Sequence, residues 1–170
     1  LRRMAPSLPV RRQKSKSAAS DIFTRREHPI VGHLIEDGLI GKYAYEKRMP
    51  AWVFDLDREK SALFLSRLWA TDGTVKRRGA SVDISYCTTS KGLSRDVRAL
   101  LTKFGIRSSI TKRAAFAKAS DGTRKRGRDA YVVRVETRPG WRRFHDEIRV
   151  PGKPPFDLPT TAENSNRDSV

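Results

Sequence analysis

Apolar positions recur along this chain with two different periods, and the switches between them predict most of its elements. Leu93, Val97, Leu100, Leu101 and Phe104 fall three and four apart, the spacing of one helix face, with Ser90 or Ser94 as N-cap and Gly105 just past the last turn. Upstream, Leu63, Phe64, Leu65, Leu68 and Trp69 predict a helix from Arg58 to about Thr71, capped by Asp57 and apolar over so wide an arc that it should lie centrally. Between the helices the period drops to two. Val82, Ile84 and Tyr86 alternate with Asp83, Ser85 and Cys87, so Ser81 to Thr88 reads as a strand with one core face and one polar face. It turns at Gly79 from a strand over Thr74 to Arg78. Ile106 to Arg113 and Ala130 to Glu136 read as a further strand pair joined by a long polar loop around Asp121-Gly122, and Trp141, Phe144, His145 and Ile148 predict a closing helix after Pro139. The order is αββαββα, which predicts an α+β fold with an antiparallel sheet.

The flanks read differently. Residues 1–20 set Arg2, Arg3, Arg11, Arg12, Lys14 and Lys16 among proline and serine, with too few large apolar side chains to offset the entropy of ordering them. A disordered basic arm is expected there. Residues 21–49 read as a connector with one short helix, in which Ile30, Val31, Leu34 and Ile35 share a side and Gly38 and Gly41 end the run. The segment Trp52-Val53-Phe54 opens the main body, residues 50–153, and residues 154–170 form a polar tail.

Charge narrows the partner. Lys and Arg number 36 against 19 Asp and Glu, a formal net charge of +17, far beyond what solubility asks. A polyanion is the expected partner, nucleic acid ahead of an anionic membrane, because no apolar run approaches the roughly 20 residues of a spanning helix. No apolar core of a secretory signal appears in the first residues, and Cys87 alone makes no disulfide or metal set, so a reducing cytoplasmic setting is expected. Cys87 itself reads as a small buried or half-buried strand side chain, and His28, His33 and His145 are too scattered to form a metal or catalytic set.

The stretch Leu65-Ser-Arg-Leu-Trp-Ala-Thr-Asp-Gly73 ends the first long helix of that order. In sequence order with it stand Tyr45-Glu-Lys-Arg-Met-Pro50, Ile84-Ser-Tyr-Cys-Thr-Thr-Ser90 leading into Leu93-Ser-Arg-Asp-Val97, and Leu101-Thr-Lys-Phe-Gly-Ile106. Together they resemble the second repeat of a LAGLIDADG homing endonuclease of the kind carried in inteins of bacterial replicative helicases, over roughly Pro29 to Lys153. The resemblance implies a half-domain whose curved sheet forms a saddle covered by helices on one face. It also implies that two such helices pair and that each sets a carboxylate beside the scissile phosphates. Here that carboxylate maps to Asp72, and the cofactor implied is Mg²⁺, two or more ions at the paired-helix interface. Read without the resemblance, Asp72-Gly73 is a tight reversal at a helix end.

The resemblance also implies a basic residue near the phosphate, from a strand of the second pair: Lys112 first, Arg113 second, with ordinary solvated strand charges as the alternative. From Lys103 to Arg128 there are nine basic residues and one acidic one, Asp121. Arg107, Ser109, Thr111, Arg113 and Arg134 on the polar face, with Lys76 and Arg78 from the first pair, suit a major groove, which admits β-ribbons. The run 124–128, including Arg124 and Lys125, reads as a loop clamping phosphate.

Departures from the family pattern qualify the activity. The third motif position, usually small, is Arg67, and the sixth is Ala70 in place of the frequent Asp. One motif supplies one carboxylate, so cutting both strands of duplex DNA requires a homodimer or a first repeat missing from this chain, which opens at Leu1 as a fragment would. Neither Leu1 nor Ser169-Val170 matches splice-junction chemistry, so no self-splicing is expected. Two further readings stand beside the endonuclease: a DNA-binding relic that no longer cuts, and a basic RNA-binding protein.

Overall fold

The computed structural model describes residues 10–12, 20–22, 29–79, 81–114, 116–118 and 124–152. Most of the expected arm and all of the expected tail lie outside them. The chain divides into two compact units, Leu1–Tyr43 and Ala44–Val170.

In the first unit β1 (Val10–Arg12) pairs antiparallel with β2 (Ser20–Ile22), so the described part of the predicted arm is a short ladder. Helix α1 (Pro29–Glu36) starts on a proline, whose fixed φ and missing N–H suit a first turn. It ends in a Schellman turn: the Gly38 N–H donates to the Ile35 carbonyl at 2.8 Å and the Leu39 N–H to that of Leu34 at 2.8 Å, with Gly38 at φ 62°. Val31 is buried, whereas Ile35, expected on the apolar side, is exposed.

The second unit begins with a strap that leads into a 3₁₀ turn over Ala51–Asp55. There follow α2 (Arg58–Asp72), β3 (Gly73–Arg78), β4 (Ser81–Thr88), α3 (Lys91–Thr102) and β5 (Ser108–Arg113). After them come β6 (Phe116–Lys118), β7 (Arg124–Arg126), β8 (Ala130–Val135), α4 (Arg138–Arg143) and a single π turn over Phe144–Ile148. The four-stranded antiparallel sheet runs β3-β4-β8-β5, and the predicted αββαββα order holds with one addition. The long polar loop carries its own ribbon, β6 paired with β7.

Capping follows the sequence. The Asp57 carboxylate accepts from the Lys60 N–H at 2.8 Å, and the Ser90 hydroxyl, not that of Ser94, accepts from Leu93 at 3.0 Å. Helix α3 stops at Thr102, and Gly105 (φ 65°) completes its exit while Phe104, just outside the helix, stays buried.

The core lies on one side of the sheet. Val75, Val82, Ile84, Tyr86, Val133 and Val135 share that face by register and pack with Leu65, Trp69, Val97, Leu100, Leu101 and Phe144 from the helices and the π turn. Trp69 sits at its centre, 5.5 Å from the Tyr86 ring and 5.0 Å edge-on from Phe144. Helix α2 is less apolar inward than its composition suggests. Its buried stripe is Ser61, Leu65, Ser66 and Trp69, and Leu63, two residues from Leu65 and hence on the far side, is 54% exposed. The two serines are tolerated because their hydroxyls donate to the carbonyls of Leu56 (3.3 Å) and Arg149 (2.8 Å).

The strap before Pro50 is tied to α3. Arg48 grips Asp96 through Nε and Nη2, both at 2.7 Å, the Met49 N–H donates to the same carboxylate at 3.0 Å, and Ser90 Oγ donates to the Lys47 carbonyl at 2.6 Å. A Cβ on Gly92 would stand 2.2 Å from Arg48 Cδ, so the glycine lets the guanidinium pass over the first turn of α3.

Candidate nucleic-acid interface

Asp72 is the last residue of α2 and is exposed. The chain passes from it directly into β3, with Gly73 at φ −85° and ψ 155°, ordinary extended backbone. A tight reversal is therefore not what places Asp-Gly here. Gly73 is needed for another reason: a Cβ there would lie 2.3 Å from Trp69 Cδ1 and 2.7 Å from Trp69 Cα. A carboxylate at the negative end of a helix is opposed by the macrodipole, so helix stability does not account for Asp72 either. Tyr86, paired with Gly73 across the strands, stands nearby. Burial pushes its hydroxyl up to about 12, and the negative charge of Asp72 adds to the shift.

An exposed carboxylate is a hard oxygen donor of the type Mg²⁺ takes, one or two at a time alongside water and phosphate oxygens. Among the described residues no group of three or more His, Cys, Asp or Glu converges. Asp72 thus fits one carboxylate's share of such a site. His33 lies 3.5 Å from Glu36 and His145 2.9 Å from Asp146, both pairs within their own helical turns, and His28 lies outside the described residues.

Register assigns the other face of the sheet. Lys76 pairs with Asp83 and Arg78 with Ser81, Ser85 pairs with Arg134, and Arg134, Val132 and Ala130 pair with Ser109, Thr111 and Arg113. Directly paired residues point the same way. Lys76, Arg78, Arg134, Ser109, Thr111 and Arg113 therefore occupy one face, opposite the core. Arg107 is exposed just ahead of β5, where its carbonyl accepts from the Glu136 N–H at 3.2 Å, and the Ser109 hydroxyl donates to the Glu136 carboxylate. Cys87 has the parity of this face and is exposed, not buried or half-buried as its size suggested.

Lys112 lies on the opposite parity, paired with Tyr131, and its Nζ is 2.7 Å from Asp129. It shares the end of the sheet on which Asp72 stands, but three strand spacings separate β5 from β3, roughly 14 Å. Arg113, the second choice, is on the polar face. Arg124 and Lys125, expected in an open loop, belong to β7, paired with Lys118 and Ala117; their side chains lie outside the described residues. Arg67 is exposed in the middle of the outward face of α2, with Leu63 and Thr71 beside it.

Two contacts have no local sequence signal. Arg128 stacks over the Tyr45 ring at 3.6 Å, joining strap to loop. On the polar face, Asp83 stands between Arg78 (3.5 Å) and Arg134 (3.4 Å). Only the alternation of β4 marked Asp83 as outward-facing.

A one-sided antiparallel sheet under three helices, with a charged face opposite the core and a carboxylate at the end of its central helix, defines an α+β domain of the homing-endonuclease half-domain type. The family profile described as "LAGLIDADG-like domain" matches residues 59–149, from the first turn of α2 to just past the π turn. The chain belongs to that family. It is 36% identical over 138 residues to the replicative DNA helicase DnaB of Rhodothermus marinus, covering 79% of this chain and 14% of the helicase. To the DnaB of Synechocystis it is 32% identical over 126 residues, 72% of this chain and again 14% of the helicase. A shorter match, 34% over 76 residues, links 43% of the chain to 10% of the RecA protein of Mycobacterium tuberculosis. The chain thus spans a small part of each relative's length. Among the described residues no helix is long and apolar enough to cross a membrane.

Proposed function

We propose that this chain is half of a homing endonuclease, borne by an intein in a replicative-helicase gene, that binds duplex DNA through the polar face of its sheet and contributes Asp72 to phosphodiester hydrolysis. The observation that carries the reading is the register. It sets Lys76, Arg78, Arg113 and Arg134 on one strand surface facing away from the core, while α2 delivers an exposed carboxylate at the sheet's end. Neighbouring strands of this four-stranded sheet form β-ribbons of the kind the major groove admits, and there each base pair presents its own donor and acceptor pattern. Family membership and the short stretch matched within helicases support the setting.

Mg²⁺, when bound, would polarise the phosphoryl oxygens and lower the pKa of an attacking water. Asp72 would hold it from this side; the matching carboxylate comes from a second copy or from a first repeat. Lys112 and Arg113 are the candidates for steadying the phosphate. The basic face positions the backbone, and a few of its side chains read bases.

Arg67 favours a second reading, a relic that binds DNA without cutting. Its charge lies on the α2 face that would meet a partner helix, where an unpaired charge costs several kcal/mol if dehydrated. A plasmid carrying the uninterrupted helicase segment, incubated with the full chain and Mg²⁺, separates the two. Site-dependent cutting supports the enzyme; site-dependent binding that leaves the plasmid intact supports the relic. Equal binding to structured RNA and to random DNA contradicts both.

A further inference from the structure

The polar face carries a charge of the wrong sign for a surface that only neutralises phosphate. Asp83 lies in its middle, directly across the ladder from Lys76 and diagonal to Arg78 on one side and Arg134 on the other. Its side chain is 13% exposed and that of Arg134 is 43% exposed, so the carboxylate is the more deeply set of the two. The two ion pairs, at 3.5 and 3.4 Å, are longer than the 2.7–2.9 Å usual of charge-assisted hydrogen bonds. Asp83 Oδ1 and Arg134 Nε face each other at 3.4 Å, and both atoms are buried with no hydrogen-bond partner among the described residues.

Beside them a recess of about 360 Å³ is lined by Arg78, Asp83, Arg113, Arg134 and Glu136. An arginine has five N–H donors in a planar fork. Here the Nε edge of the Arg134 fork is turned to a carboxylate, and the side chain as a whole is 43% exposed.

We propose that Asp83 is a positioning residue that aims Arg134 at one guanine of the target duplex, so that the cluster reads a G·C pair in the major groove. This rests on the DNA-binding reading above and adds to it a residue pair and a base. The chemistry is that of the commonest specific contact: the terminal nitrogens of Arg134 donate to guanine O6 and N7, two acceptors that no other base presents together. As the fork closes on the base, its Nε edge shortens onto Asp83, which satisfies the buried donor and acceptor left open in the free protein. Asp83 serves the same end negatively. A carboxylate in the middle of the face repels a phosphate placed there, so the neighbouring arginines are kept for the base edge and not for the backbone.

Binding selection from a pool of random duplexes tests this, run without Mg²⁺ on the full chain, Asp83→Asn and Arg134→Lys. The wild type should enrich a site with one position at which G·C is preferred by about tenfold or more, the discrimination of a bidentate pair. Arg134→Lys, which keeps the charge but loses the planar fork that meets both acceptors, should weaken preference at that position several-fold and leave the others. Asp83→Asn should weaken preference at the same position several-fold while total affinity holds or rises, a pattern that loss of fold cannot produce. Should Asp83→Asn not fold, Arg134→Lys, which keeps its charge, carries the test. A loss spread evenly over all positions makes Arg134 a phosphate contact and overturns the proposal, as does an unchanged preference in both variants. If the wild type enriches no sequence at all, the DNA-binding reading falls and this inference with it.

Discussion

Replacing Gly73 by alanine adds one methyl group at the junction between α2 and β3, and the structure says where it goes. The new carbon would stand 2.3 Å from Trp69 Cδ1, 2.5 Å from Cγ and 2.7 Å from the Trp69 backbone Cα. Rotating the indole cannot relieve this. Trp69 is fully buried between Tyr86 and Phe144, and no change of rotamer moves its backbone out of the way. The dihedrals of Gly73 are no obstacle, since φ −85° and ψ 155° suit any residue. On that ground alone alanine would gain about 0.4–1 kcal/mol from the smaller freedom of its unfolded chain. Overpacking a tight core costs about 1–3 kcal/mol and sometimes more. The clash with backbone argues for the upper part of that range, for a net loss of about 2 kcal/mol, or several degrees in Tm.

Urea unfolding of wild type, Gly73→Ala and Gly73→Asn measures it. Were Gly73 a left-handed cap, asparagine would be the gentler replacement. Because the constraint is space, asparagine should be the harsher. Equal or greater stability of Gly73→Ala, or a milder effect of asparagine, refutes the reasoning.

Other consequences follow from the same structure. Burial pushes the Asp96 carboxyl up, but the hydrogen bonds from Arg48 and the Met49 N–H outweigh it and hold the carboxyl below its ordinary 3.8. A folded pKa below the unfolded one gives stability that is present above about pH 4 and lost as pH falls through the folded value, so Asp96→Asn should be less stable at neutral pH and show a flatter acid limb in denaturation. Arg113→Ala should reduce the slope of log affinity against log salt by about 0.9, the loss of one phosphate contact, read from fluorescence anisotropy on a duplex. Arg67→Ala removes the charge from the outward face of α2; sedimentation should show self-association at lower concentration, with unfolding stability unchanged to within about 0.5 kcal/mol.

Much of this fold is written in local pattern, because α3 and β4 each bury one face and so repeat at 3.6 and at 2. The caps Asp57 and Ser90 were legible for the same reason: a short polar side chain bonds backbone only a few residues away. What escaped was settled at long range or by backbone. The β6–β7 ribbon pairs Phe116-Ala-Lys118 with Arg124-Lys-Arg126, which have no apolar alternation to betray a strand. Arg48 and Asp96 lie 48 positions apart, and nothing near either one announces the other. Leu63 looked like core because helix α2 buries serines that local apolarity undervalues. The polar-face residues were legible once the strands were, since alternation fixes the side; Lys112 against Arg113 was not, because that choice needs distances across the sheet.

The central claim is that Asp72 serves chemistry and the sheet serves binding, and one paired measurement separates those roles. Wild type and Asp72→Asn are compared on the same duplex site, binding by gel shift and cleavage with Mg²⁺ by product formation. Asp72→Asn should bind within a few-fold of wild type and cut at least a hundredfold more slowly. Cleavage that persists in Asp72→Asn, or binding that collapses with it, would contradict the account.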